Sequence, residues 1–200
     1  MNLSEFDQSF YIDNISLLAG VDEAGRGPIA GPVYAAAVIL NPEKAIPDLA
    51  DSKKLNKNKI ALLAEEIKKH SLSWSVSSAS VEEIEKFNIL NASLLAMKRA
   101  VISLDIKPSE LIIDGNFTLD MDIEMRAIIK ADDKFKEVMA ASILAKYHRD
   151  NYMINLDKKF PEYSFKNHKG YPTKQHLEAI ELKGICVHHR KTFKPILKYL

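Results

Sequence analysis

Residues 17–40, LLAGVDEAGRGPIAGPVYAAAVIL, constrain the fold more than any other stretch of the chain. An apolar run rises to Val21 and ends in two adjacent carboxylates, Asp22 and Glu23. A glycine-flanked arginine follows, Gly25-Arg26-Gly27, and a second apolar run extends from Val33 to Leu40. Apolar runs of this length, bounded by Gly and Pro, are expected to be buried strands joined by a tight loop. A buried strand that ends in two acids carries a double cost, because each carboxylate loses water and the two repel. A divalent cation removes both costs, so Asp22 is the expected start of a metal site. Consecutive strand side chains point to opposite faces, so Asp22 and Glu23 are expected to share that site only if the strand breaks between them.

Further along, Ile60, Leu63 and Ile67 mark the apolar face of a helix that begins near Lys57. Leu72, Trp74 and Val76 alternate with serines, the period of a half-buried strand. Ser80 and Glu83 form a capping box for a short helix. Asn88–Asn91 leads into another helix, with Leu94, Met97, Val101 and Leu104 on one face. A third apolar run, Leu111–Ile113, stops at Asp114-Gly115, and a fourth, Ala127–Ile129, closes on Lys130-Ala131-Asp132-Asp133. A long helix is expected from about Glu137 to Phe160, with Ala140, Ala141 and Ala145 letting it lie close to a sheet. A basic loop over 166–172 precedes a helix capped by Thr173.

Hairpin connections come first and crossover connections later. That order predicts an α/β fold with a mixed sheet, antiparallel at one edge and parallel at the other, flanked by helices. Residues 1–16 are an expected lead-in, and 17–200 a single domain with a basic C-terminal part. Ligands collect at the carboxyl ends of parallel strands. Asp22 and Asp114 both sit at such ends, and Asp132 follows a third. One Asp at a strand end is usually a turn or cap residue; three strands ending alike weaken that explanation. Four oxygen donors without histidine or thiolate suit Mg2+ or Mn2+.

Charge adds a second constraint. Over 158–200 there are ten Lys/Arg and three Asp/Glu, although the whole chain is only +1. A basic C-terminal quarter beside an acidic cluster points to a nucleic-acid partner. The single cysteine, Cys186, excludes an internal disulfide framework and fits a reducing compartment, so the expected location is cytoplasmic. Cys186, His188 and His189 lack zinc spacing. No run is long enough for a membrane span, and the acidic N-terminus is no secretory signal. Gly25, Gly27 and Ala30 fit a loose dinucleotide-binding pattern, but Pro28, Gly31 and Pro32 preclude the helix it requires. These glycines are better suited to close approach of backbone to a ligand, with Arg26 available for a phosphate.

The motifs DEAGRGPIAGPV (22–33), DSKKL (51–55), IIDGN (112–116), AASILAK (140–146), HKGYPT (168–173) and HHRKTF (188–193) together resemble ribonuclease HII. The resemblance covers nearly the whole chain from Leu17, with the motifs in family order. It implies a ribonuclease H-like fold with a five-stranded mixed sheet and a small helical C-terminal region. It implies an endonuclease that cleaves the RNA strand of RNA–DNA hybrids and nicks 5′ of single ribonucleotides in duplex DNA. The implied chemistry is two-metal-ion hydrolysis giving 3′-hydroxyl and 5′-phosphate ends, with Asp22, Glu23, Asp114 and Asp132 as metal-binding and catalytic acids. Asp132 is preferred to its neighbour Asp133 by its offset from Lys130 and from AASILAK. Gly25, Arg26 and Gly27 would read the 2′-hydroxyl, and Tyr171 would pack on a deoxyribose. Lys53, Lys146, Lys169 and Arg190 are candidate phosphate contacts, and Asn91 and Ser93 candidate contacts to the DNA strand. A monomer is expected. The alternatives are a non-catalytic hybrid-binding module on the same fold, which would show no turnover, and a carboxylate glycosidase, which would ignore chelators.

Overall fold

The computed structural model describes residues 17–47, 49 and 57–200. The N-terminal lead-in and the DSKKL motif, with Lys53, lie outside the described residues. Strands β1 (Leu18–Ala24), β2 (Val33–Leu40), β3 (Ser71–Ala79), β4 (Glu110–Asp114) and β5 (Glu124–Ile128) form one sheet in the order β3-β2-β1-β4-β5. The β1–β2 and β2–β3 pairs are antiparallel, and β1–β4 and β4–β5 are parallel. The expected mixed sheet is therefore present, with β1 at its centre. The helices are α1 (Lys57–His70), α2 (Val81–Ile102), α3 (Lys136–Lys159), α4 (Phe165–His168), α5 (Lys174–Lys183) and α6 (Lys194–Leu197).

Strand alternation divides the sheet between two cores. Ala19, Val21, Ala35, Ala37, Leu111 and Ile113 face α2, with Ala96, Met97 and Ala100. Ala36 and Val38 face the other way, against Leu63, Ile67, Ala140, Ala141 and Leu144 of α1 and α3. The alanines of α3 are fully buried, as their size suggested. β3 departs from its expected half-buried pattern because both its faces are covered. Ser73 and Ser75 are buried, and the Ser75 hydroxyl donates to the Ala100 carbonyl of α2. Trp74 and Val76 pack on the α1 and α3 side. β5 begins earlier than its apolar run suggested and is an edge strand, which leaves Ile129 exposed beyond its end.

The two helices expected on either side of Asn88 form one bent element, α2. Ser80 and Glu83 make the capping box at its start. At Asn88, φ is 67°, and its Oδ1 accepts the Asn91 amide at 3.1 Å, so a second cap restarts the helix at the bend.

One close approach sets the depth of α3. A Cβ built on Gly20 of β1 would stand 2.1 Å from the Glu137 carbonyl carbon and the Val138 nitrogen. Only a residue without a side chain lets backbone rest on backbone there. Gly20→Ala is expected to destabilise the protein by about 2–3 kcal/mol, because the start of α3 must move off the sheet. The measurement is the urea midpoint, with the slope unchanged if the fold is otherwise retained.

Candidate active site

β1 does not break between its two acids. It stays paired through Ala24, opposite Tyr34. Asp22 and Glu23 consequently leave from opposite faces, and the break expected to bring them into one site is absent. They remain close enough for the Glu23 charge to act on the Asp22 carboxyl. The parallel register pairs Val21 with Ile113, so Asp22 and Asp114 stand one step beyond it on neighbouring strands. Asp22 faces α3, where the Ser142 hydroxyl donates to its carboxylate. Glu23 lines a cleft on the α2 side with Leu90, Ser93, Met97 and Asp114.

The electrostatics are severe. Burial, then Glu23, then Asp114 push the Asp22 carboxyl well above the usual carboxylate range. Ser142 and the Glu23 amide, which donates to Asp22 Oδ1 at 2.6 Å, work the other way. Asp114 Oδ1 accepts the Ala131 amide at 2.7 Å, which ties β4 to the turn over Ala131–Asp133. That turn leaves Asp132 half-buried and Asp133 exposed. Glu23 Oε1 accepts from the Arg26 guanidinium at 3.1 Å. Its Oε2 is buried without a partner. Among the described residues, no three carboxylate, histidine or cysteine groups are already gathered around one ion position. Arg26 holds one Glu23 oxygen and the Ala131 amide holds one Asp114 oxygen. Even so, hard oxygen donors, an orphaned buried carboxylate oxygen and a disfavoured negative charge on Asp22 fit a hard divalent cation.

Arg26 and Gly27 are exposed beside the acids, and Gly25 has φ +101°. Tyr171 is 48% exposed and lies over Gly27, where an added Cβ would be 3.4 Å from its Cε1. The structure thus brings the glycine-arginine-glycine loop and Tyr171 together. Asn91 is exposed just after the α2 bend, its side-chain amide donating to the Phe87 carbonyl at 3.0 Å. Ser93 is buried along the cleft and donates to Ile89. Lys146 is exposed and 3.2 Å from Asp150. Lys169 and Arg190 are not surface cations. Lys169 is buried, with its ammonium on the Lys166 carbonyl, and Arg190 is fully buried. The sequence reading missed Ser142, although AASILAK contains it, and the exposed Phe117 on the cleft wall.

Behind Tyr171 lies a chain of buried histidines. The Tyr171 carbonyl can only accept, so the His176 Nδ1 at 2.9 Å carries a proton. His176 Nε2 then accepts from His189 Nε2 at 3.1 Å. That leaves His189 Nδ1 to accept the Cys186 amide at 2.9 Å. His168 stacks on His176 with centroids 4.3 Å apart, and its Nε2 donates to the Tyr163 carbonyl at 2.8 Å. Each ring is satisfied in one neutral tautomer. Burial pushes His176 down to about 3 and His189 down to about 4.

Comparison with known proteins agrees with this architecture. The family model described as Ribonuclease HII matches residues 19–196. A Ribonuclease HII of Nitrosomonas europaea is 52% identical over 186 residues, which cover 92% of this chain and 86% of that protein. The crystal structure of ribonuclease H2 from Pyrococcus horikoshii OT3 superposes with a TM-score of 0.75 at 28% identity, covering 91% of this chain and 96% of that one. The ribonuclease HII in a PCNA complex from Archaeoglobus fulgidus gives a TM-score of 0.74 at 27% identity, covering 86% and 91%. Sheet order, acid placement and these relatives define an endoribonuclease of the ribonuclease H type. Within that class the chain belongs to the ribonuclease HII family.

The histidine chain makes stability fall with acid. Above a pH of about 6.5 the histidines are neutral in both states; below it the unfolded chain takes up protons that the folded chain refuses. The loss runs from there down to about 4 for His189 and about 3 for His176. Between pH 7 and 5 it is on the order of 2 kcal/mol per histidine. Urea titrations at the two pH values should show a smaller drop for His176→Gln than for the wild type. Asp22, whose raised pKa acts in the opposite sense, is common to both proteins and cancels in that difference.

Proposed function

We propose that this enzyme cleaves the RNA strand of RNA–DNA hybrids and nicks DNA duplexes on the 5′ side of single embedded ribonucleotides. The observation that carries the proposal is the crowding of Asp22, Glu23 and Asp114 at the carboxyl ends of β1 and β4, beside an exposed glycine-arginine-glycine loop. Asp22, Glu23, Asp114 and Asp132 would hold Mg2+ or Mn2+. Such ions, when bound, lower the pKa of a water and offset charge on the leaving 3′-oxygen.

The chain's own residues supply positioning. Ser142 and the Glu23 amide orient the Asp22 carboxylate. The Ala131 amide orients Asp114. Arg26, exposed and paired to Glu23, is placed to exchange that partner for a substrate phosphate. The backbone at Gly25–Gly27 approaches the ribose, where a 2′-hydroxyl distinguishes RNA from DNA. The Tyr171 ring beside Gly27 packs flat on a deoxyribose, where an extra hydroxyl fits poorly. That selects DNA on the 3′ side of the cut, and the product ends are 3′-hydroxyl and 5′-phosphate. Lys146, Asn91 and Lys53 are assigned to the flanking strands. A cytoplasmic location and a monomeric state are proposed on the single unpaired cysteine and the one-domain length alone. Among the described residues no helix is long and apolar enough to cross a membrane.

Incubation with Mg2+ or Mn2+ and a duplex containing one ribonucleotide should give a single nick on its 5′ side, and a chelator should stop it. Asp22→Asn and Asp114→Asn should each slow cleavage about a thousandfold or more, because several kcal/mol of charge stabilisation disappears. Hybrid affinity should stay within a few-fold. Activity surviving either substitution would refute the acid assignment, and binding without any turnover would favour a non-catalytic hybrid-binding module.

A further inference from the structure

Two buried arginines lie beneath the loop at 25–32, and neither meets a carboxylate. Arg190, fully buried, donates from Nη2 to the Gly25 carbonyl at 2.7 Å, from Nη1 to the Arg26 carbonyl at 3.0 Å and from Nε to the Gly31 carbonyl at 2.8 Å. Arg149, 2% exposed, donates to the carbonyls of Pro32, Ala30 and Lys169. Burial, and for Arg190 the charge of Arg149, lower both guanidinium pKa values, Arg190 to about 9; a guanidinium nonetheless stays protonated in proteins. A Cβ on Gly25 would stand 2.0 Å from Arg149 Nε, so the glycine admits the side chain that braces its own loop.

The consequence lies on the other side of the peptide planes. In a trans peptide, the carbonyl of one residue points opposite to the amide of the next. No peptide in the described residues is cis. With the Gly25 and Arg26 carbonyls drawn inward to Arg190, the amides of Arg26 and Gly27 are aimed outward. Among the described residues neither amide has a partner, and both residues are exposed. Gly27 lies directly under Tyr171.

We propose that Arg190 is a positioning residue for ribose discrimination: its buried fork turns two carbonyls inward and so presents the Arg26 and Gly27 amides, beside Tyr171, to a 2′-hydroxyl. Arg149 braces the second half of the same loop. The proposal rests on the nuclease function above. A lysine cannot replace the fork, because its ammonium is a single point of charge and cannot match three diverging carbonyls as a planar guanidinium does.

The test compares wild type and Arg190→Lys, both metal-free in chelator, binding two fluorescent duplexes of one sequence. One duplex contains a single ribonucleotide and the other is all DNA. Wild type should prefer the ribonucleotide duplex. Arg190→Lys, if it keeps a cooperative thermal transition, should hold all-DNA affinity within about twofold while its preference drops roughly tenfold, as expected for lost charge-assisted hydrogen bonds. A folded Arg190→Lys with unchanged preference overturns the proposal. A merely structural role would weaken both duplexes alike. Should the variant not fold, 15N spectra of the wild type decide: the Arg26 and Gly27 amides should shift with the ribonucleotide duplex and not with the all-DNA duplex. Unmoved amides also overturn it. Equal binding of the two duplexes by wild type would instead sink the ribose reading itself, and the proposal with it.

Discussion

The structure turns on the burial of Asp22 between two other acids. Its carboxyl is nearly inaccessible, and Glu23 and Asp114 both oppose its ionisation. A core made only for stability would not place three carboxylates this way, because nothing in the apolar sheet repays their desolvation. Ser142, the Glu23 amide, the Ala131 amide and Arg26 each satisfy part of the demand. They leave one buried Glu23 oxygen without a partner. The surrounding fold can be understood as the scaffold that makes this crowding tolerable. β1 is central and paired on both sides, and Gly20 lets α3 press down close enough for Ser142 to reach Asp22.

The adjoining loop solves the opposite problem. Arg149 and Arg190 are buried cations, and a carboxylate partner would be the usual compensation. Backbone carbonyls take that place, so their positive charge is not cancelled. The acids and the arginines therefore flank the same stretch of chain without neutralising one another. Positive charge lies beneath the loop and negative charge at the neighbouring acids. The C-terminal segments close the arrangement: Ile29 donates to Gly170, Gly31 donates to His188, and Ala30 bridges to His189. The neutral histidine chain behind Tyr171 holds those segments together without adding a further buried charge.

Much of this was readable in the chain. Apolar runs ending in acids marked β1 and β4, helical spacing marked α1 to α3, and the capping box at Ser80 marked the start of α2. These signals are local, and each rests on two or four residues of period. The failures were failures of long-range contact. The alternation in β3 implies one buried face, because the sequence does not say that α2 covers its serines. Arg190 reads in sequence as a candidate phosphate contact, whereas its partners are backbone carbonyls as far as 165 positions away. The unbroken β1 departs from the sequence expectation, since pairing with β2 through Ala24 is set by a partner strand that a single strand does not reveal.

The sequence by itself determined the elements, the kind of chemistry the acids could support and the family to which the chain is similar, because periodicity and side-chain type are properties of neighbours along the chain. Only the tertiary structure decided which acids meet, which carbonyls turn inward and which amides are left facing out. Strand register and the burial of a guanidinium depend on segments far apart in the chain, and a hydrogen bond between such segments has no local trace in either of them.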